Sequence, residues 1–319
     1  MIPQLYKAKQ FWLLLIKLLF VGLSLYYLYV EFDKRSSYHN FILPDSFPTY
    51  GFFVLIVLSV FNWCFEILKW KNLVSSFRKI TFSETATQTL GSLATSVFTP
   101  NRIGEYVAKC FYFDRKYAKK IIFLNFLSNS TQMAVTLFFG FFGILFYYIL
   151  VPSSVDFSNF SLQTSFVFGL FVFLLLLLIG VVVYYKKIEI YGYSLELLLT
   201  KFQLFSSKRH LKNIQFSVIR YLIFTHQFYL ALLFFGVQIS YPDAMITLFT
   251  MYFFASVLPT IHVMDVVIKG SVAVLLFSNL GINEWAVLSV SFIMWLLNLV
   301  LPTILGSLFI LKPNSKLKL

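Results

Sequence analysis

The chain has 319 residues, of which 59% are hydrophobic and 12% charged, with a mean hydropathy of +0.80. Soluble domains carry about 25% charged residues, so this composition excludes an ordinary soluble enzyme and specifies an integral membrane protein. The net charge of +13 gathers beside apolar runs, which argues against a nucleic-acid partner and for anionic membrane surfaces.

Taken in chain order, Phe11 to Val30 forms a first span interrupted only by Lys17. It is read as a retained span, because its apolar run exceeds a signal core and no small-x-small cleavage site follows. The second span runs from about Tyr50 to Leu68, the third from Ile121 to Leu150 and the fourth from Phe166 to Tyr185. A fifth covers Val218 to Val237, and a last long one about Trp285 to Leu311.

Two stretches do not read as simple spans. Residues 81–113 are broken by TPNRIGE at 99–105, whose proline, charges and glycine an ordinary span avoids. Residues 244–280 hold two apolar runs, Ala244 to Leu258 and Val266 to Leu280, separated by PTIHVMD. Both runs are short for crossing a hydrocarbon core of about 30 Å.

Short cytoplasmic loops are enriched in Lys and Arg, and the clusters at Lys7/Lys9, Lys69 to Lys79, Arg115 to Lys120, Lys186 to Lys212 and Lys312 to Lys318 can share one side. Both termini are then cytoplasmic. Residues 81–113 must enter the membrane and return, or lie along its surface. For 244–280, two crossings and one re-entrant pair give the same parity, and the short runs favour re-entry from outside.

The predicted fold is an all-α integral membrane protein of about eight membrane segments, two of them re-entrant or broken-helix hairpins. It forms a single polytopic domain over 1–319. Its first half is about 1–150 with the hairpin 81–113, and its second about 166–311 with the hairpin 244–280. The linker 186–217 reads as a cytoplasmic amphipathic, interfacial segment. TSVFTPNRIGE at 95–105 and ASVLPTIHVMD at 255–265 share a small residue, Ser-Val, a nearby proline and a closing acid. Because one enters from each side, the pair reads as an inverted-topology repeat, with chance similarity between two proline breaks as the alternative.

If the segments after the prolines are helical, Arg102 and Glu105, Glu105 and Lys109, and Asp265 and Lys269 each share a helix face. Such charges must line a protein interior or a wet cavity. They either lock the segments together or contact a charged substrate group, for which Arg102 offers the paired donors suited to phosphate. The candidate substrate-binding residues are Pro100, Asn101, Arg102, Gly104, Glu105, Pro259, His262, Asp265 and Lys269. Glu66, Lys109, Asn125, Asn129, Gln132, His226 and Gln227 are candidates for lining the same cavity. For Asn125, Asn129 and Gln132 interhelical hydrogen bonding is the preferred role, for His226 neutral packing is the commoner one, and Glu66 has pairing with Lys69 at the interface as an equal alternative. Cys64 and Cys110 lack metal spacing, no HExxH, CxxC or Walker string occurs, and no cofactor or metal is expected.

TPNRIGEYVAK and the proline element at 258–270 resemble the transmembrane region of the lysylphosphatidylglycerol synthases, the flippase-like domain of bacterial multiple peptide resistance factors. The resemblance covers roughly Phe11 to Leu311 by pattern. Pro100, Arg102, Gly104 and Glu105 match the family's first element, with Asn101 where glycine is common. His262 and Val263 stand where many members have a glycine pair. The resemblance implies a stand-alone form in the bacterial cytoplasmic membrane, lacking the aminoacyl-transfer domain because nothing after Leu311 forms it. Its implied partners are anionic or aminoacylated phospholipids or polyprenyl-type amphiphiles. The expected function is flippase-like binding and translocation of a charged-headgroup lipid between leaflets. A membrane-embedded transferase acting on lipid and a non-transporting scaffold of a lipid pathway are the alternatives.

Overall fold

The structure, a computed structural model, describes residues 26, 29, 49–97, 99, 102–150, 206–258 and 264–311. Most of the first span, the fourth span, most of the linker 186–217, and Pro100, Asn101, Pro259 and His262 lie outside the described residues. The chain divides into two compact units, Met1–Val151 with Lys212–Leu319, and Pro152–Leu211. Apart from Ser207–Leu211, where one helix begins, everything below concerns the first.

The described elements are helical: α1 Thr49–Val74, α2 Phe82–Ser96, α3 Ile103–Cys110, α4 Ala118–Leu150, α5 Ser207–Phe234, α6 Tyr241–Val257, α7 Asp265–Ser278 and α8 Glu284–Trp295. The last continues through a π-helical turn, Leu296–Val300, into α9 Leu301–Leu311. Four rods are long and apolar enough to cross a bilayer, Tyr50–Val74, Arg115–Leu150, Ser207–Phe234 and Glu284–Ile310, so the chain is a multi-pass membrane protein. Their outward faces are oily: on α4, Phe138, Phe141, Phe142, Leu145 and Phe146 are all exposed.

Two sequence boundaries move. α1 runs six residues past the expected end of its span and carries Lys69 into the protein interior, where its side chain is 1% exposed, instead of into a surface loop. Residues 207–217, expected as part of a separate interfacial segment, are the first turns of α5, and Asn213 and Ser217 are buried. In both cases internal polar partners hold residues that hydropathy assigns to water: Glu66 for Lys69, and Thr131 for Asn213.

The short helices start on clear local signals. Thr81 caps α2 in a reciprocal box with Glu84, Ser240 caps α6 through Asp243, and Asn283 accepts from the amides of Trp285 and Ala286 at the head of α8. α2 is polar along its length, yet Thr85, Gln88, Thr89, Ser92 and Ser96 are buried. Its hydroxyls bond back to its own carbonyls, Ser92 to Thr89 and Ser96 to Leu93, so it buries few unmet groups.

Packing is reciprocal between the two halves. α2 packs along α9 and contacts α3, while α6 packs along α4 and contacts α7. In turn α3 touches α4, and α7 touches α8. Each short helix pair therefore leans on its own following rod and on the rod that closes the other half.

Small residues permit these crossings. A Cβ on Gly143 would lie 2.6 Å from Phe249 Cβ and 2.7 Å from the Thr250 amide nitrogen, and one on Gly306 would overlap the Leu90 carbonyl. Gly143→Ala must therefore push α4 and α6 apart. We expect it to lower thermal stability in detergent by roughly 1–3 kcal/mol. A melting temperature equal to that of the native chain would contradict this contact.

Candidate functional site

All helices from α1 to α8, with the π turn, contribute residues to one cavity of about 660 Å³. Its wall carries Arg102, Arg220, Asp265 and Lys269, the amides Asn62, Asn129, Gln132 and Asn298, and an aromatic and aliphatic surface that includes Trp63, Phe224, Phe228, Met251 and Trp295. Ligand sites commonly occupy about 300–1,000 Å³ with a mostly apolar lining and a few placed polar groups.

Arg102 stands at the broken corner between α2 and α3, and it is the only non-glycine residue with a positive φ, 57°, among the described residues. A left-handed arginine costs about 1–2 kcal/mol, so the surroundings must hold it there. Thr99 does part of this, donating to the Ser96 carbonyl at 2.9 Å and accepting from the Gly104 amide at 2.9 Å. The Arg102 guanidinium also reaches Glu105 at 2.8 Å while remaining 27% exposed.

Gly104 is required by the tightness of this corner, since a Cβ would sit 2.5 Å from the Thr95 carbonyl oxygen and 3.0 Å from the Thr99 side chain. We expect Gly104→Ala to cost roughly 1–3 kcal/mol and to shift Arg102 off the cavity wall. Thermal unfolding and ligand binding should both fall, and an unchanged binding isotherm would argue against the corner positioning Arg102.

Behind the wall lie two buried ion-pair clusters. In the first, Glu105 meets Lys109 at 2.7 Å, Lys109 donates to Asn125 Oδ1 at 2.7 Å, and its ammonium lies 4.1 Å from the centre of the Trp70 ring. Lys109 and Asn125 are fully buried. In the second, Glu66 meets both Lys69 and Arg220 at 2.8 Å, and Lys69 donates to Gln132 Oε1 at 3.3 Å.

Arg220 links the second cluster to the π turn. Its Nε donates to Asn62 Oδ1 at 3.0 Å, Asn62 donates to Asn298 Oδ1 at 2.9 Å, and Asn298 donates to Gln227 Oε1 at 3.0 Å. The π turn also leaves carbonyls free for α1, which uses Ser59 on Leu297 O at 2.7 Å and the Trp63 indole on Asn298 O at 3.2 Å. π turns recur at functional sites for this kind of reason.

The structure thus brings together Arg102, Asp265 and Lys269 with Asn129 and Gln132 on the wall, and puts Glu105, Glu66, Lys109, Asn125 and Gln227 one layer back. Asn129 donates to the Tyr106 hydroxyl at 3.3 Å. Asp265 and Lys269 pair at 2.5 Å, with 17% and 33% of their side chains exposed, so this pair is wet where Glu105–Lys109 is dry. His226 sits away from the cavity wall, its ring nitrogens 2.8 Å from the Leu222 carbonyl and 2.8 Å from the Tyr241 hydroxyl, which is the packing role.

Sequence reasoning missed Arg220, Asn62 and Asn298. Arg220 had an available signal, being an arginine inside an apolar span, whereas an asparagine in a span is unremarkable until its partner is known. Among the described residues no group of three or more His, Cys, Asp or Glu is placed to hold a metal. No family model, curated protein or solved structure matches the chain.

Proposed function

We propose that this chain binds a charged-headgroup lipid or related amphiphile in the cavity and carries it between leaflets of the bacterial cytoplasmic membrane. The observation that carries the reading is the cavity itself, with ionised side chains on one part of its wall and aromatic and aliphatic side chains on the rest, inside a bundle of membrane-crossing rods. Such charges are costly in hydrocarbon, so they stand where polar cargo or water meets them.

The translocation step follows from reading α2–α3 and α6–α7 as re-entrant hairpins of an inverted repeat. The reciprocal packing supports that reading, as do details 160 residues apart in the sequence. Glu105–Lys109 corresponds to Asp265–Lys269, and the bond from Ser96 to the Leu93 carbonyl corresponds to that from Ser256 to the Phe253 carbonyl. Broken helices meeting at the membrane midplane give two gates around one site, each able to face one leaflet. The resemblance to the flippase-like domain through TPNRIGEYVAK points the same way, with both termini cytoplasmic.

The test is mass spectrometry of lipids retained by the purified chain, native against a folded Arg102→Ala variant. Enrichment of one headgroup class over bulk membrane, lost in the variant, is expected. Bulk lipid alone, equal in both, would remove the basis for transport and favour a scaffold.

A further inference from the structure

The charge on the cavity wall is unbalanced, and the imbalance names a cargo class. Three cations, Arg102, Arg220 and Lys269, face the cavity against one acid, Asp265. The layer behind adds nothing, since Glu66 is matched by Lys69 and Glu105 by Lys109. The described site therefore holds two positive charges more than it neutralises.

Every carboxylate at the site is already engaged. Asp265 pairs with Lys269, Glu66 with Lys69 and Arg220, and Glu105 with Lys109 and Arg102. An ammonium group on a cargo would find no free acid among these residues and would meet the excess of cations. Aminoacylated and other cationic headgroups are thus disfavoured by the same residues that favour anions.

We infer that the cavity selects a doubly charged phosphate headgroup, a phosphomonoester or diphosphate, over phosphodiester, zwitterionic and cationic ones. This rests on the transport reading above and sharpens it. A phosphomonoester carries about −1.5 to −2 at pH 7, close to the surplus on the wall, whereas a phosphodiester carries a single charge. Arg102 and Arg220 come from opposite halves of the chain, and two guanidinium forks suit the several oxygens of a terminal phosphate. Trp63, Phe224 and Phe228 give an attached apolar chain a surface beside it.

The experiment measures binding of four probes to the purified full chain in maltoside micelles: dioctanoyl phosphatidic acid, dioctanoyl phosphatidylglycerol, dioctanoyl phosphatidylethanolamine and glycerol 3-phosphate. Phosphatidic acid is expected to bind roughly tenfold or more tighter than phosphatidylglycerol, in line with an extra charge-assisted contact, and phosphatidylethanolamine weakest. Asp265→Asn should tighten phosphatidic acid several-fold by releasing Lys269, a gain that misfolding cannot imitate, and Lys269→Gln should weaken it. Glycerol 3-phosphate competing as well as phosphatidic acid would support the dianion and place its source in a soluble pool. Equal affinity for phosphatidic acid and phosphatidylglycerol, with no response to Asp265→Asn, overturns the inference and leaves anionic-lipid transport standing. If no probe saturates and no headgroup is retained on purification, both readings fall.

Discussion

Glu105→Gln should be the most damaging single substitution at the site. It removes the carboxylate that Lys109 meets at 2.7 Å and Arg102 at 2.8 Å, and Lys109 has no exposed surface through which to regain water. Breaking one side of a buried pair costs roughly 3–5 kcal/mol, because the remaining charge is left uncompensated. Asn125 and the Trp70 face offer Lys109 a dipole and a quadrupole but no countercharge. The native chain and the variant would be compared by thermal unfolding with size-exclusion detection in detergent. Asp265→Asn serves as the matched control, since it breaks the corresponding pair at a partly exposed position where screening by water applies. A large loss for Glu105→Gln beside a small one for Asp265→Asn is the expected pattern. Equal losses would mean that the two pairs do not divide into a dry, structural one and a wet, working one.

The second large effect is on activity. On the proposed transport function, Arg220→Gln should reduce leaflet exchange in reconstituted vesicles by roughly tenfold or more, because the side chain faces the cavity and anchors a polar chain running from Glu66 to the π turn. Folding should survive better than in Glu105→Gln, since Glu66 keeps Lys69 at 2.8 Å. Arg220→Lys is informative alongside it. A lysine preserves the charge but not the fork that holds Glu66 through Nη1 and Asn62 through Nε together. We expect an intermediate rate, and full activity of the lysine variant would show that charge alone suffices.

Much of the framework was legible because it is written in local spacing. The four long rods follow from hydropathy, and the interruptions between α2 and α3 and between α6 and α7 follow from the polar strings TPNRIGE and PTIHVMD in an apolar background. The i,i+4 pairs Glu105–Lys109 and Asp265–Lys269 needed only helical geometry. What the sequence hid is the matching of distant polar residues. Arg220 and Asn62 are 158 positions apart, and Asn62 and Asn298 are 236 apart. Nothing in a local window distinguishes an asparagine that will meet such a partner from one that will not. Lys69 illustrates the converse, since charge patterning places it at a membrane surface while its ion pair with Glu66 and its long-range bond to Gln132 Oε1 make an interior position tolerable.

The π turn at Leu296–Val300 is in effect one residue too many, absorbed as a widened coil. Removing a residue from a membrane helix ordinarily rotates everything beyond it by about 100°, which would swing Gly306 away from Leu90 and strip α2 of its support. Here a one-residue deletion within the turn would restore a regular helix and leave both flanking faces in register. The rod should therefore tolerate a shortening that is fatal a few turns to either side. The resulting chain would keep its fold while Asn298 and the carbonyls that Ser59 and Trp63 reach lose their present positions, which would cut Arg220 and Asn62 off from Gln227 and leave the charged wall without its polar backing.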